Sequence, residues 1–211
     1  MSSEDGATPG HSEPVEIVEG TVEIDDLEAF LERIREIADE HGVTIQAFDA
    51  RYVADRAHLE RAVELARRSL DRGENVADDP AVEILCYAAG RRQIDRALEM
   101  GVAEGSGPVA VVVAGGFRGA GGESVDGAGA GGESVDGAGA GGESVDGVGT
   151  GDVRGAVDAL AELIDMERVL EESDEERLRE YFDISAIELE ATDASLADLV
   201  HERVALLDVE K

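Results

Sequence analysis

The chain has 211 residues, with 50 acidic side chains against 18 basic ones, a formal net charge of −32 and 43% apolar residues. One cysteine, Cys86, excludes an intramolecular disulfide framework. No basic-plus-apolar leader and no apolar run near 18 residues is found, so we expect no signal peptide, no membrane partner and a cytoplasmic location.

The acidity is spread over every segment, and 17 of the 18 basic residues are Arg. A charge this negative ordinarily argues against nucleic-acid partners. Spread in this way, it reads instead as adaptation to a highly saline cytoplasm, where the Debye length shrinks to ~3 Å near 1 M salt. Net charge then describes the solvent rather than the partner.

Residues 1–14 are polar and without apolar period, which reads as a disordered acidic tail. Val15–Ile24 alternates as a strand or small hairpin around Gly20. Asp25, with Glu28, opens a helix through Leu27, Phe30, Leu31, Ile34 and Ile37 to Gly42. A second strand spans Val43–Phe48. A longer helix runs from Asp55 to Gly73 on a stripe of Leu59, Val63, Ala66 and Leu70. Asp79-Pro80 sets an N-cap and a first-turn proline before Val82, Leu85, Cys86 and Ala89. Gly90 interrupts, and helical spacing resumes over Arg91–Met100. Val109–Val113 is a β-branched strand expected to be buried on both faces. Three further helices are expected from Asp152, Ser173 and Ser195. Together these predict a single mixed α/β domain, a small sheet packed with helices and ending in C-terminal helices, over 15–117 and 151–211.

Between its two parts lies a segment of another kind. The nonapeptide Gly-Ala-Gly-Gly-Glu-Ser-Val-Asp-Gly occurs three times, at 119–127, 129–137 and 139–147. One apolar side chain larger than Ala per ten residues cannot offset the ordering entropy of so much glycine, so 118–150 reads as a disordered insertion. Gly127 to Gly132 formally matches G-x-G-x-x-G. The match recurs a period later and stands far from the helix at Asp152, whose amides a dinucleotide phosphate would need. Nucleotide binding is not expected there, and no cofactor is assigned.

Catalytic constellations are also missing. His11, His41, His58 and His201 have no second His or Cys at ligand spacing, so no metal is expected. Cys86 shares an apolar stripe and reads as a buried small hydrophobe rather than a nucleophile. Carboxylates are too frequent for any pair to be informative.

The basic residues are more telling. Residues 51–96 hold nine of the seventeen Arg and only nine acids, so this window is neutral and the remainder carries the whole −32. Two explanations stand: a surface kept free of repulsion toward an anionic partner, or ion pairs along helix faces, such as Glu60 and Glu64 with Arg67 and Arg68.

Inside the window, Glu83-Ile84-Leu85 is followed by small residues, Gly90, then Arg92-Gln93-Ile94 and a segment ending at Gly101. This pattern resembles the signature of the smallest core subunit of the KEOPS (EKC) complex, the PRPK-binding or Cgi-type family. The element order continues the resemblance through the Val109–Val113 strand and the C-terminal helices, over about 15–114 and 152–211. The tail and the insertion are departures from it. The resemblance implies a non-catalytic subunit that binds the complex's small atypical kinase/ATPase and recruits tRNA by its 3′ CCA end. The complex's other subunits would then install threonylcarbamoyl on the adenosine next to the anticodon. No DNA partner is implied.

In concentrated salt, four phosphate contacts would lose roughly a thousandfold in affinity between dilute and molar conditions, at about −0.7 per phosphate. Binding must then rest on stacking and hydrogen bonding. Tyr87, Arg91, Arg92 and Gln93, grouped around Gly90, are the expected RNA contacts. The alternative is that Gly90 only caps a helix and Gln93 satisfies its last carbonyls.

Overall fold

A computed structural model describes residues 14–117, 151–171 and 173–209. The 118–150 insertion, and all of the 1–14 tail but Pro14, lie outside the described residues.

The elements are β1 (Val15–Ile24), α1 (Leu27–His41), β2 (Thr44–Asp49), α2 (Arg56–Arg72), α3 (Pro80–Ala88), α4 (Ile94–Ala97), β3 (Gly105–Ala114), α5 (Val153–Leu160), β4 (Asp165–Met166), α6 (Glu175–Tyr181), α7 (Ala186–Glu190) and α8 (Leu196–Val209). Short 3-10 turns at Ala50–Tyr52 and Leu98–Met100 complete the order. The expected single α/β domain is what the chain forms.

The four strands pair antiparallel in the order β2-β3-β1-β4. β1 runs straight from Val15 to Ile24 against β3, so it is one strand rather than a hairpin. Gly20 lets β4 in: an added Cβ would sit 2.4 Å from the Asp165 carbonyl oxygen. β4, at two residues, carries no periodic signal and was not anticipated.

Side-chain alternation along the strands divides the interior into two layers. Ala110, Val112 and Ala114 of β3, with Ile17 and Phe48, pack against α2, α3, α6 and α8. Val109, Val111 and Val113, with Val18, Val22, Ile45 and Ala47, pack against α1 and α5. β3 is therefore buried on both faces, as its β-branched run predicts.

Helix ends follow the sequence closely. Asp55 and Asp79 are the N-caps of α2 and α3, and α1 is capped by Asp26, one residue beyond the expected Asp25. α6 is likewise capped by Asp174 rather than Ser173. Gly42, Gly73 and Gly90 all adopt positive φ where helices stop. After Gly90 the expected helix is delayed: Arg91–Gln93 are non-helical and α4 starts only at Ile94.

Candidate nucleic-acid interface

α3 is apolar almost all round, and such a helix belongs inside. Ile84, Leu85, Cys86, Tyr87, Ala88 and Glu83 are all buried. Asp79 accepts hydrogen bonds from the Ala81 and Val82 amides, and Pro80 occupies the first turn. Glu83 reaches back from the helix: its Oε2 accepts from the amides of Val76 and Ala77, both at 2.9 Å. The acid that opens the signature therefore fixes the segment leading into it.

The far end of α3 is a Schellman motif. The Gly90 N–H donates to the Tyr87 carbonyl and the Arg91 N–H to the Cys86 carbonyl. Gly90 has φ +59°, and an added Cβ would also lie 3.3 Å from the Arg203 carbonyl oxygen of α8. Its glycine is thus required twice, by the turn and by the helix crossing behind it. The carbonyl of Ala88 is taken by the Nε2–H of His58, from α2, at 2.8 Å.

The structure corrects the expected role of Tyr87. Its ring is only 1% exposed and belongs to the core beneath the sheet, so it offers no face to a base. Its hydroxyl lies 3.5 Å from Asp208 of α8. Arg91 is already engaged: it donates to the Tyr181 carbonyl, pairs with Asp183 at 3.0 Å, and stacks over the Tyr181 ring at 5.4 Å. Arg92 and Gln93 are exposed, and neither side chain has a hydrogen-bond or ion-pair partner among the described residues. Gln93 does not satisfy the last carbonyls of α3; its own carbonyl accepts from the amides of Arg96 and Ala97 and starts α4. Ile94 and Leu98 lie beside them, 38% and 54% exposed.

Sequence reasoning missed the residues around Arg91. Arg177, Tyr52, Tyr181 and Arg91 form a ladder: guanidinium over ring at 5.2 Å, ring edge to ring at 5.1 Å, and guanidinium over ring at 5.4 Å. The cation–π contacts order both guanidinium planes, whose outer faces can stack against a base. Tyr52, Tyr181 and Arg177 of the ladder line a polar cleft of about 480 Å³ together with Arg96 and four acids, Glu99, Asp174, Glu176 and Glu180. Burial pushes the Tyr181 phenol up to about 12, so it stays protonated and donates to the Arg96 carbonyl. Asp183 holds its turn at φ 54°, a left-handed conformation that Asp tolerates better than most residues. Of this cluster only Arg91 is an expected contact from the sequence, because its parts come from three separate segments, the turn at Ala50–Tyr52, the loop after Gly90 and α6.

The neutral window resolves largely into internal pairing. Arg51, Arg56, Arg61, Arg68, Arg91 and Arg96 each form a salt bridge within the molecule, two of them, Arg61 and Arg68, to an acid inside the window, Glu64. Arg67 bonds the Gly115 carbonyl and lies over the Phe117 ring.

Other reactive groups are quenched. Burial and the nearby Glu83 raise the Cys86 thiol to about 11, so it is not a thiolate at neutral pH. Burial lowers His58 to about 4. Among the described residues there is no group of three or more His, Cys, Asp or Glu able to hold a metal, and no helix is long and apolar enough to cross a membrane. No protein-family model matches the chain, and no curated protein matches it.

Proposed function

We propose that this chain is a non-catalytic subunit of a KEOPS-type tRNA-modifying assembly, binding a small atypical kinase/ATPase and recruiting tRNA through its 3′ end. The observation that carries the reading is the corner after Gly90. There the signature's Arg92 and Gln93 are exposed and without partners among the described residues, beside guanidinium planes ordered on Tyr52 and Tyr181. Unpaired planar donors next to stacking surfaces suit a splayed single-stranded end, and they suit it in strong salt, where phosphate contacts fade. Within this reading Arg92 and Gln93 contact the terminal nucleotides directly, and Arg91 shapes the surface that they meet.

Affinity for total tRNA in molar KCl, with intact and trimmed 3′ ends, tests the proposal. Trimming, and the double variant Arg92→Ala/Gln93→Ala, should each weaken binding at least tenfold. Equal affinity for all forms refutes it.

A second reading is a module that binds the kinase and never touches RNA. It is favoured by the internal pairing of most window arginines and by the exposed apolar pair Ile94 and Leu98. Co-purification of a small kinase without any tRNA retention would select it.

A further inference from the structure

His58 is buried completely, on the side of α2 that faces the end of α3. Both of its ring nitrogens are used. Nε2–H donates to the Ala88 carbonyl at 2.8 Å, and Nδ1 accepts from the Ala54 N–H at 3.3 Å. The bond from Ala54 can form only if Nδ1 carries no proton, so these two contacts select one neutral tautomer.

The carbonyls at the end of α3 show why the first contact matters. Leu85, Cys86 and Tyr87 accept from the amides of Ala89, Arg91 and Gly90, which leaves Ala88 to His58. The ring also meets Phe182 edge-on, with centroids 5.8 Å apart. Phe182 lies between Tyr181 and Asp183, the two residues that hold Arg91. One side chain thus touches both supports of the arginine corner, the carbonyl behind Gly90 and the turn beneath Arg91.

We propose that His58 is a positioning residue for this corner: as a neutral ring it fixes the end of α3 and the Tyr181–Asp183 turn together, and protonation releases both. A cationic ring would point a second N–H at the Ala54 amide, and two donors cannot share that contact. The titratable groups facing the ring are Asp55, the N-cap of its own helix, which favours the cation, and His201 of α8, which opposes it. α3 contributes the Ala88 carbonyl, and α6 is followed at once by the uncharged Phe182 ring. Burial outweighs Asp55, and the closed corner keeps His58 neutral down to about pH 4, against 6.5 when it is opened to water. Opening should therefore become about thirtyfold more frequent between pH 7.5 and pH 5.

The inference rests on the RNA reading only for the corner's purpose, and the test separates the two. Amide hydrogen-exchange protection of Gly90 and Arg91, the two hydrogen-bonded amides of the corner, is measured on the full chain in molar KCl, from pH 7.5 to 5, for wild type and His58→Gln. Glutamine can donate to Ala88 and accept from Ala54 but does not titrate. Affinity for total tRNA is measured in parallel at pH 7.5, including His58→Ala. Wild type should lose about thirtyfold in protection, and His58→Gln less than threefold. Both should bind tRNA alike, while His58→Ala binds at least tenfold more weakly. The same pH response in wild type and His58→Gln overturns the proposal, as does a folded His58→Ala chain with wild-type protection and affinity. If His58→Ala does not fold, the first comparison decides alone. Protection that behaves as stated in a protein that binds no tRNA supports the positioning role and removes the RNA reading.

Discussion

Glu83 offers the sharpest test of how the signature is held. Its side chain is 0% exposed, with one oxygen accepting two backbone N–H groups and the other, Oε1, without a hydrogen-bond partner among the described residues. Glu83→Ala removes both bonds to a charged acceptor, strands the buried Ala77 amide and leaves a cavity. Relief of a buried charge offsets part of this, and the net cost should be about 3–4 kcal/mol. Glu83→Gln keeps one carbonyl oxygen facing both amides, loses the charge assistance and puts an NH2 where Oε1 had no partner, and should cost about 1 kcal/mol once the relief of the buried charge is counted. Thermal unfolding followed by far-UV circular dichroism in molar KCl converts these values at about 2–4 °C per kcal/mol for a domain of this size. The alanine variant should melt about 10 °C lower and the glutamine variant within about 4 °C of wild type. An alanine variant melting within 2 °C of wild type refutes the bracing role. A glutamine variant as unstable as alanine would show that the charge, not hydrogen-bond acceptance, is what matters.

Other outcomes follow from neighbouring contacts. Arg91→Ala should lower stability by about 2 kcal/mol, because it strips partners from the Tyr181 carbonyl and from Asp183, whereas Arg92→Ala should stay within about 0.5 kcal/mol. A chemical denaturation series that ranks them equally contradicts this division of labour. At Asp183 the left-handed backbone should make Asp183→Val about 1 kcal/mol worse than Asp183→Asn, since both lose the ion pair and only one also strains the turn. Acid should destabilise the protein through His58: its folded value, about 4, lies below the ordinary 6.5, so the unfolded chain binds the extra proton. That contribution is complete above pH 6.5 and lost as pH falls toward 4, about 3 kcal/mol in all, measurable as the difference in pH dependence between wild type and His58→Gln. Replacing 119–149 with a short Gly-Ser linker should raise stability by about 1.5 kcal/mol from loop closure alone. The attachment points favour it: Ala114 pairs with Thr44 while Gly151 packs on Gly42 and Val43, and a fall in melting temperature would contradict the estimate.

Much of this architecture is legible in the sequence, where a residue's job is local. Asp55, Asp79, Gly42, Gly73 and Gly90 punctuate helices for reasons contained within a few neighbouring residues, and the β-branched run of β3 signals burial without help. Tyr87 shows where such reading fails. A stripe of Val82, Leu85, Cys86 and Ala89 suggested a helix with an outer face, yet Ile84, Tyr87 and Ala88 complete an apolar circumference that leaves none. The signal was present, in the lack of polar positions after Glu83. The ladder of Arg177, Tyr52, Tyr181 and Arg91 has no such signal, because register between distant segments, not spacing within one, brings it together. His58 was equally opaque: a histidine on a helix reveals nothing of the carbonyl that it serves thirty residues away.

The contact between Gly90 and the backbone of Arg203 has a consequence for biosynthesis. The corner that carries the signature needs α2, α3, the turn after α6 and finally α8. Arg203 leaves the ribosome 112 residues after Arg91, a delay of roughly 6–20 s at ordinary synthesis rates. The insertion lengthens that interval by some 2–6 s. A nascent chain, or one terminated before α8, would display every residue of the motif and still lack the assembled surface, so partners that recognise the finished corner would engage only chains in which α8 has been made.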